Sequence, residues 1–312
     1  MMSCNPEDLL PKNFLIFNKI LNLILKTLQC KEMYNVLCVS GGGMKGVCEL
    51  GAAHYLYFDT DLLTSIDTYV GTSIGAVISL LLYIGYTPMQ IFSRVSKIES
   101  FLDFEFDIFN FLNFKKGYGL LDINQFISKI ENVVLEKLGV IPTLLELYKI
   151  FNKRIVIVVT NYTKGIVEYI DYETKPNIKC TEAIKMSCSL PVVFDRVLYE
   201  GDIYIDGGIG DNFPIEYASK FGNVIGIRVT GNNTDDDFFS YMHRIFNVAV
   251  HKIETMQLDH LQVIKSKNLI VNITTDAKPL DNSDKNKKMK MFCQGYEATK
   301  IVCFENDLSF EW

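Results

Sequence analysis

The 312-residue chain sets 31 Lys and Arg against 37 Asp and Glu, for a net charge of −6, and 48% of its residues are hydrophobic. That much apolar material supplies a large buried core and excludes intrinsic disorder. The acidic balance excludes the counterion-release route to nucleic acid. The eight cysteines include no C-x-x-C pair and no histidine partners of the kind zinc sites use. The expectation is therefore reduced thiols in an intracellular, cytoplasmic protein with no metal and no cofactor.

Residues 7–32 predict an amphipathic helix, with Leu10, Phe14, Phe17, Leu21, Ile24, Leu25 and Leu28 recurring at three- and four-residue steps. Two roles fit it: a stripe packed on the domain, or an interfacial membrane anchor. Glu7 and Asp8 precede the apolar stretch, which a secretory signal would not carry. Asn18, Lys19, Asn22 and Lys26 interrupt Phe14–Leu28, which falls short of the roughly 20 apolar residues a spanning helix needs. Residues 1–32 read as an extension, and 33–312 as one domain.

Val36–Ser40 is a short apolar run stopped by three glycines, as a buried parallel strand would be. Gly46–Phe58 reads as a helix, Tyr69–Val70 as the end of a second strand, and Ile74–Ile84 as an apolar helix closed by Gly85 and Pro88. The aromatic stretch 99–120 has no clean period and predicts a cap or loop. Helical spacing returns over Ile123–Leu138. Strands follow at Arg154–Thr160 and Ile166–Asp171, then a helix at Thr181–Ser187. Glu200–Gly201–Asp202 signals a hairpin between Arg196–Tyr199 and Ile203–Ile205. Val224–Val229 and Leu269–Ile273 complete the strands, with long helices at Phe238–Ile264 and Lys287–Phe304. Strands alternating with helices imply an α/β fold whose mostly parallel sheet is covered on both faces.

Three constellations carry chemistry, each just past a strand end, where open α/β sheets place their sites. Gly71–Thr72–Ser73–Ile74–Gly75 is a G-x-S-x-G between a strand and a helix. A sharp turn there strains the serine, its flanking glycines make room, and the following helix dipole favours an alkoxide. Gly41–Gly42–Gly43–Met44–Lys45–Gly46 also lies between strand and helix. Its side-chain-free amides suit an oxyanion hole. The same loop satisfies G-x-G-x-x-G, with Asp59, Asp61 and Asp67 near the ribose offset, so a dinucleotide site is the competing reading. Asp206–Gly207–Gly208 ends a strand with a carboxylate, although D-G-G alone is an ordinary turn signal.

Together the blocks GGGMKG (41–46), GTSIG (71–75), SCSLPVVF (187–194) and DGGIGDNFP (206–214) resemble the patatin-like phospholipase family, from about Val36 to Phe304. Ser40 stands where many members carry Asp or Asn. The resemblance implies a three-layer α/β/α fold and hydrolysis of fatty-acyl esters of phospholipids or related lipids. It makes Ser73 the nucleophile and Asp206 its base without histidine, with oxyanion donors at Gly42 and Gly43. Gly41, Met44, Lys45, Gly46, Gly71, Gly75, Gly207 and Gly208 frame the site, and Lys45 supports the loop or meets a lipid phosphate. The implied partners are a lipid substrate and, transiently, a membrane or lipid-droplet surface, with no nucleic acid. An aspartate near its ordinary pKa of about 4 is a weak base for a serine, so such a dyad leans on geometry and the oxyanion hole. Two alternatives stay open: a Ser–Asp–His hydrolase using His243, His251 or His260, and a non-catalytic lipid- or dinucleotide-binding module.

Overall fold

The apolar runs that read as strands and the periodic stretches that read as helices form an α/β/α arrangement. The computed structural model describes residues 34–97, 119–231, 238–261, 267–277 and 284–308. The expected N-terminal helix and nearly all of the aromatic 99–120 stretch lie outside these residues. The strands are β1 (Val36–Val39), β2 (Thr68–Thr72), β3 (Gly119–Leu121), β4 (Arg154–Asn161), β5 (Ile166–Ile170), β6 (Val192–Phe194), β7 (Val197–Tyr199), β8 (Asp202–Asp206), β9 (Val224–Gly231) and β10 (Asn268–Thr275). The helices are α1 (Gly46–Phe58), α2 (Ile74–Tyr83), α3 (Pro88–Val95), α4 (Ile123–Leu138), α5 (Leu144–Phe151), α6 (Cys180–Ser187), α7 (Ile215–Ala218), α8 (Phe238–Leu261) and α9 (Lys285–Glu305).

The main sheet runs β10-β9-β1-β2-β4-β8-β7, with β5 on β4 as well, and β3 pairs with β6 apart from it. The pairings from β10 to β4 are parallel, whereas β5, β7 and β8 join antiparallel. Alternate side chains of one strand serve two cores. Leu37, Val39, Ile155, Ile157, Ile225 and Ile227 face the larger one, with residues of α1, α2, α4 and α9. Val36, Cys38, Val70, Val156, Val158 and Val224 face the smaller one, against Phe213, Ile215 and Leu261. Burial on both faces explains why these strands are apolar throughout instead of alternating.

Two features hold the layers in register. A Cβ on Gly51 would strike the Phe292 carbonyl and one on Gly295 the Cys48 carbonyl, so α1 and α9 cross backbone to backbone. The expected hairpin joins β7 to β8 through Glu200 and Gly201, both at positive φ (51° and 88°). That geometry matches the right-handed twist of the strands and delivers Asp206 at the end of β8. Among the described residues, no helix is long and apolar enough to cross a membrane.

Candidate active site

The register of β4 brings the serine and the aspartate together. Thr72, the last residue of β2, pairs with Val158, and Asp206, the last of β8, pairs with the adjacent Val159. Because β5 holds one edge of β4 over 157–161, β2 and β8 must occupy the other edge in succession. Ser73 follows Thr72 directly and therefore emerges beside Asp206.

Ser73 sits at φ 53°, ψ −124°, strained backbone at a strand-to-helix elbow, at the N-cap of α2. The turn demands glycine at its flank: a Cβ on Gly75 would run into the carbonyls of Val39 and Ser40. The Ser73 N–H donates to Ser187 Oγ at 2.8 Å, and Ser187 Oγ donates to the Val158 carbonyl at 2.6 Å. The elbow is thus tied to β4 by a buried serine at the end of α6. Ser73 itself is only half-buried, and its Oγ donates to Asp206 Oδ2 at 2.7 Å. Asp206 Oδ1 accepts from the Gly208 N–H, also at 2.7 Å. Burial pushes the Asp206 carboxyl up to about 6, against the hydrogen bonds from Ser73 and Gly208 that favour its charge. The carboxylate is therefore more basic than the ordinary aspartate expected from sequence.

The glycine loop closes on this pair. A Cβ on Gly41 would stand 3.4 Å from Ser73 Cβ. Gly41 N–H donates to the Asn212 carbonyl at 3.0 Å, and Asn212 Nδ2 returns to the Gly41 carbonyl at 3.4 Å. Gly42 precedes a 3₁₀ turn over Gly43–Lys45 that begins with Gly43 at φ +57°, a conformation glycine takes without cost. Among the described residues, nothing accepts from the Gly42 or Gly43 N–H. Ser40 Oγ accepts from the Val229 N–H at 3.1 Å and donates to Glu49 Oε1 at 2.7 Å, behind the loop. Glu49 is fully buried, its carboxyl pushed up to about 8 by burial, and its Oε2 has no hydrogen-bond partner among the described residues. Met44 and Lys45 are buried too. Burial lowers the Lys45 pKa against the fields of Glu49 and Glu254, which marks a group turned inward to brace the loop. The alternative role for Lys45, reaching out to a lipid phosphate, is at odds with that burial.

The remaining framing residues are equally tight. Gly46 lies under the Ile74 side chain, Gly71 under the Gly75 carbonyl and Ala76, and Gly207 against the Val158 carbonyl. Asp211 and Asn212, inside the DGGIGDNFP block, follow Asp206 in the turn, and the pattern of the block does not say what anchors them. Thr72 Oγ1 donates to the Asp211 carbonyl at 3.0 Å. The Asp211 carboxylate accepts from Tyr169 Oη at 2.7 Å and from Gln257 Nε2 at 3.1 Å. Asn212 Nδ2 also donates to Glu254 Oε1 at 2.9 Å, and Glu254 Oε2 is paired with Arg228. A glutamate on the buried stripe of α8 and an arginine in an apolar strand were the sequence signals for that pair.

Histidines stand elsewhere. His54 packs among Phe58, Phe292 and Tyr296, His251 is exposed, and His260 Nδ1 lies 3.1 Å from Glu216. The side chain of His243 is outside the described set. Among the described residues, no histidine hydrogen-bonds Ser73 or Asp206, and no cluster of three or more His, Cys, Asp or Glu could hold a metal ion. The described cysteines form no disulfide, and Cys188 is buried beside Asp206 and Ser73.

A patatin-like phospholipase family model matches residues 37–219, a span that includes the glycine loop, the serine elbow and the D-G-G turn. Probable lipid hydrolase 463L of Invertebrate iridescent virus 6 is 28% identical over 277 residues, covering 88% of this chain and 91% of its own length. A relative from Acanthamoeba polyphaga mimivirus is 25% identical over 275 residues, covering 85% of this chain and 92% of its own. The crystal structure of VipD from Legionella pneumophila shares the fold, with a TM-score of 0.54 at 16% identity over 88% of this chain and 67% of that one. With more than half of its sequence matched, and the three glycine-rich turns inside the match, the chain belongs to the patatin-like phospholipase family.

Proposed function

We propose that the protein is a serine acyl hydrolase that cleaves fatty-acyl esters of phospholipids or related lipids. Ser73 serves as nucleophile and Asp206 as its general base. The observation that carries the reading is the 2.7 Å hydrogen bond from Ser73 Oγ to Asp206 Oδ2, at a strained elbow closed by the glycine loop. Asp206 takes the Ser73 proton as Oγ attacks the ester carbonyl, and Gly208 N–H holds the other carboxylate oxygen still. The N–H groups of Gly42 and Gly43, without acceptors of their own, stabilise the oxyanion, helped by the dipole of α2. Protonated Asp206 then donates to the leaving alcohol. In the second half, Asp206 activates a water that hydrolyses the acyl-serine. Burial supports this use of a carboxylate, because it raises Asp206 toward the pKa a base needs near neutrality while leaving it mostly ionised at pH 7.

The test is incubation with mixed phospholipid vesicles and, separately, triacylglycerol emulsion, with products read by mass, alongside labelling by a fluorophosphonate. Wild-type protein should release fatty acid and take the label on Ser73, and a folded Ser73→Ala variant should do neither. Undiminished fatty-acid release by that variant, or a label placed on another serine, refutes the assignment.

A further inference from the structure

Helix α8 is apolar on the side a surface helix should make polar. Its inner side carries Val250, Glu254 and Leu261, all buried. At 100° per residue, Tyr241, Ile245, Val248 and Met256 fall on the opposite side. They are 58%, 48%, 76% and 63% exposed. Solvent-facing stripes of amphipathic helices are normally charged or polar. The charge along this stretch is one-sided as well. From Tyr241 to Ile253 the helix has no acidic residue, while Arg244, His251 and Lys252 are exposed at or beside the stripe. The chain as a whole is acidic, so this is a local reversal. Three aspartates at 235–237 precede the helix in sequence, and exposed Asp259 follows Met256 on the same outer side, so the basic character is confined to the stretch between them.

We infer that the outer face of α8 is a lipid-docking surface, seating Tyr241, Ile245, Val248 and Met256 at the acyl boundary of an anionic membrane with Lys252 at the head groups. An apolar stripe bordered by cationic side chains is what an interfacial helix presents, and the long stem of Lys252 lets its ammonium reach the head groups from within the stripe. A membrane meets both features with one continuous surface, whereas a soluble protein partner would need an apolar patch bordered by acidic side chains to match them. The inner side of the same helix reaches the site: Glu254 holds Asn212, which brackets Gly41, and Gln257 holds Asp211. Docking on this face therefore brings the bilayer to the helix that braces the glycine loop. The inference rests on the lipid-hydrolase reading for its purpose, though the binding it describes does not require catalysis.

The experiment uses full-length protein carrying Ser73→Ala, so that the lipid survives, floated with phosphatidylcholine vesicles containing about one third phosphatidylserine. The protein should co-float, and adding Ile245→Asp and Val248→Asp should cut the bound fraction roughly tenfold or more with an unchanged melting curve. In the active background the same pair should lower hydrolysis of vesicle lipid in parallel and leave hydrolysis of a soluble short-chain ester within about twofold. Failure of the parent protein to float, or equal flotation of the double variant, overturns the inference. So does a parent dimer that the double substitution turns into a monomer without any vesicle binding, because the stripe would then be an interface between copies. Flotation that depends on Ile245 and Val248 in a protein that hydrolyses no ester would sustain the docking face and refute the hydrolase reading alone.

Discussion

Replacing Asp206 with Asn should abolish activity and stabilise the protein, and the two effects have one cause. The carboxyl is buried and sits at about 6, against an ordinary 3.8. Burial makes the native state hold the proton more tightly than the unfolded chain does. Native stability therefore falls as pH climbs from 3.8 through about 6. Above that window the full cost of the buried charge is present, about 3 kcal/mol at 1.36 kcal/mol per pKa unit. Asparagine removes the charge and keeps both contacts, its oxygen accepting from Gly208 N–H and its amide donating to Ser73 Oγ. For a chain of this length 1 kcal/mol moves the melting temperature by roughly 1.5 °C, so Asp206→Asn should melt about 4 °C higher at pH 7.5 and no higher near pH 4. Its rate on a soluble ester should fall by at least about 10³, while wild-type kcat/KM rises tenfold per pH unit up to about 6 and then levels. Calorimetry at several pH values and initial rates are the assays. A variant that melts at or below wild type at pH 7.5, or one that keeps a tenth of the activity, refutes the argument.

Two further substitutions probe the scaffold. Ser187→Ala strips the acceptor from the Ser73 N–H and the donor from the Val158 carbonyl, so it should destabilise by about 1–3 kcal/mol and slow turnover at least tenfold. Denaturant titration and initial rates measure both, and an unaffected rate would mean the elbow holds its strain without Ser187. Glu49→Gln should keep activity at pH 7, because the native carboxyl, pushed up to about 8, is mainly protonated there and glutamine still accepts from Ser40. The wild-type melting temperature should fall as pH rises through about 8 and the Gln variant's should fall less, so parallel curves between pH 6 and 9 would contradict the burial argument.

The local chemistry of the site was legible in the sequence, and its assembly was not. Glycines flanking Ser73, a strand before it and an apolar helix after it announce an elbow, and the hairpin signal at Glu200–Gly201 announces the strand that ends at Asp206. Which edge of β4 that strand takes, and hence that Asp206 meets Ser73, depends on pairing across more than 40 residues that no local pattern encodes. The raised pKa of Asp206 is likewise a product of burial. Two of the three described helices that the sequence reading lacks, α3 and α5, escaped for a local reason. Pro88 reads as a stop to the preceding helix, yet Thr87 and Gln90 form a capping box around it and start α3, since proline fits the first turn of a helix. Thr143 and Glu146 form the same box at the start of α5. Both are short, eight residues each, so their apolar period is too brief to stand out.

Four buried carboxyls surround the glycine loop and the elbow, and their surroundings sort them by role. Glu254 faces the Arg228 guanidinium and the Asn212 amide, an ion pair that ties α8 to β9 and to the loop's bracket. Asp211 is raised by burial but capped on one oxygen by Tyr169 and on the other by Gln257, so both are committed to donors that would have to leave before it could take a proton. Glu49 reaches the loop only through Ser40 and sits too high, at about 8, to be ionised in quantity at neutral pH. Asp206 alone combines one oxygen fixed by a backbone N–H with the other on a half-buried serine hydroxyl, and a pKa of about 6 that keeps it ionised yet basic. Among the described residues, no cation is one of the groups that set its pKa, and one placed there would pull it back toward an ordinary, weaker base. The proposed dyad needs no histidine for the same reason: burial raises the carboxylate's basicity, which in a triad the imidazole would supply, and the register of β4 provides the orientation.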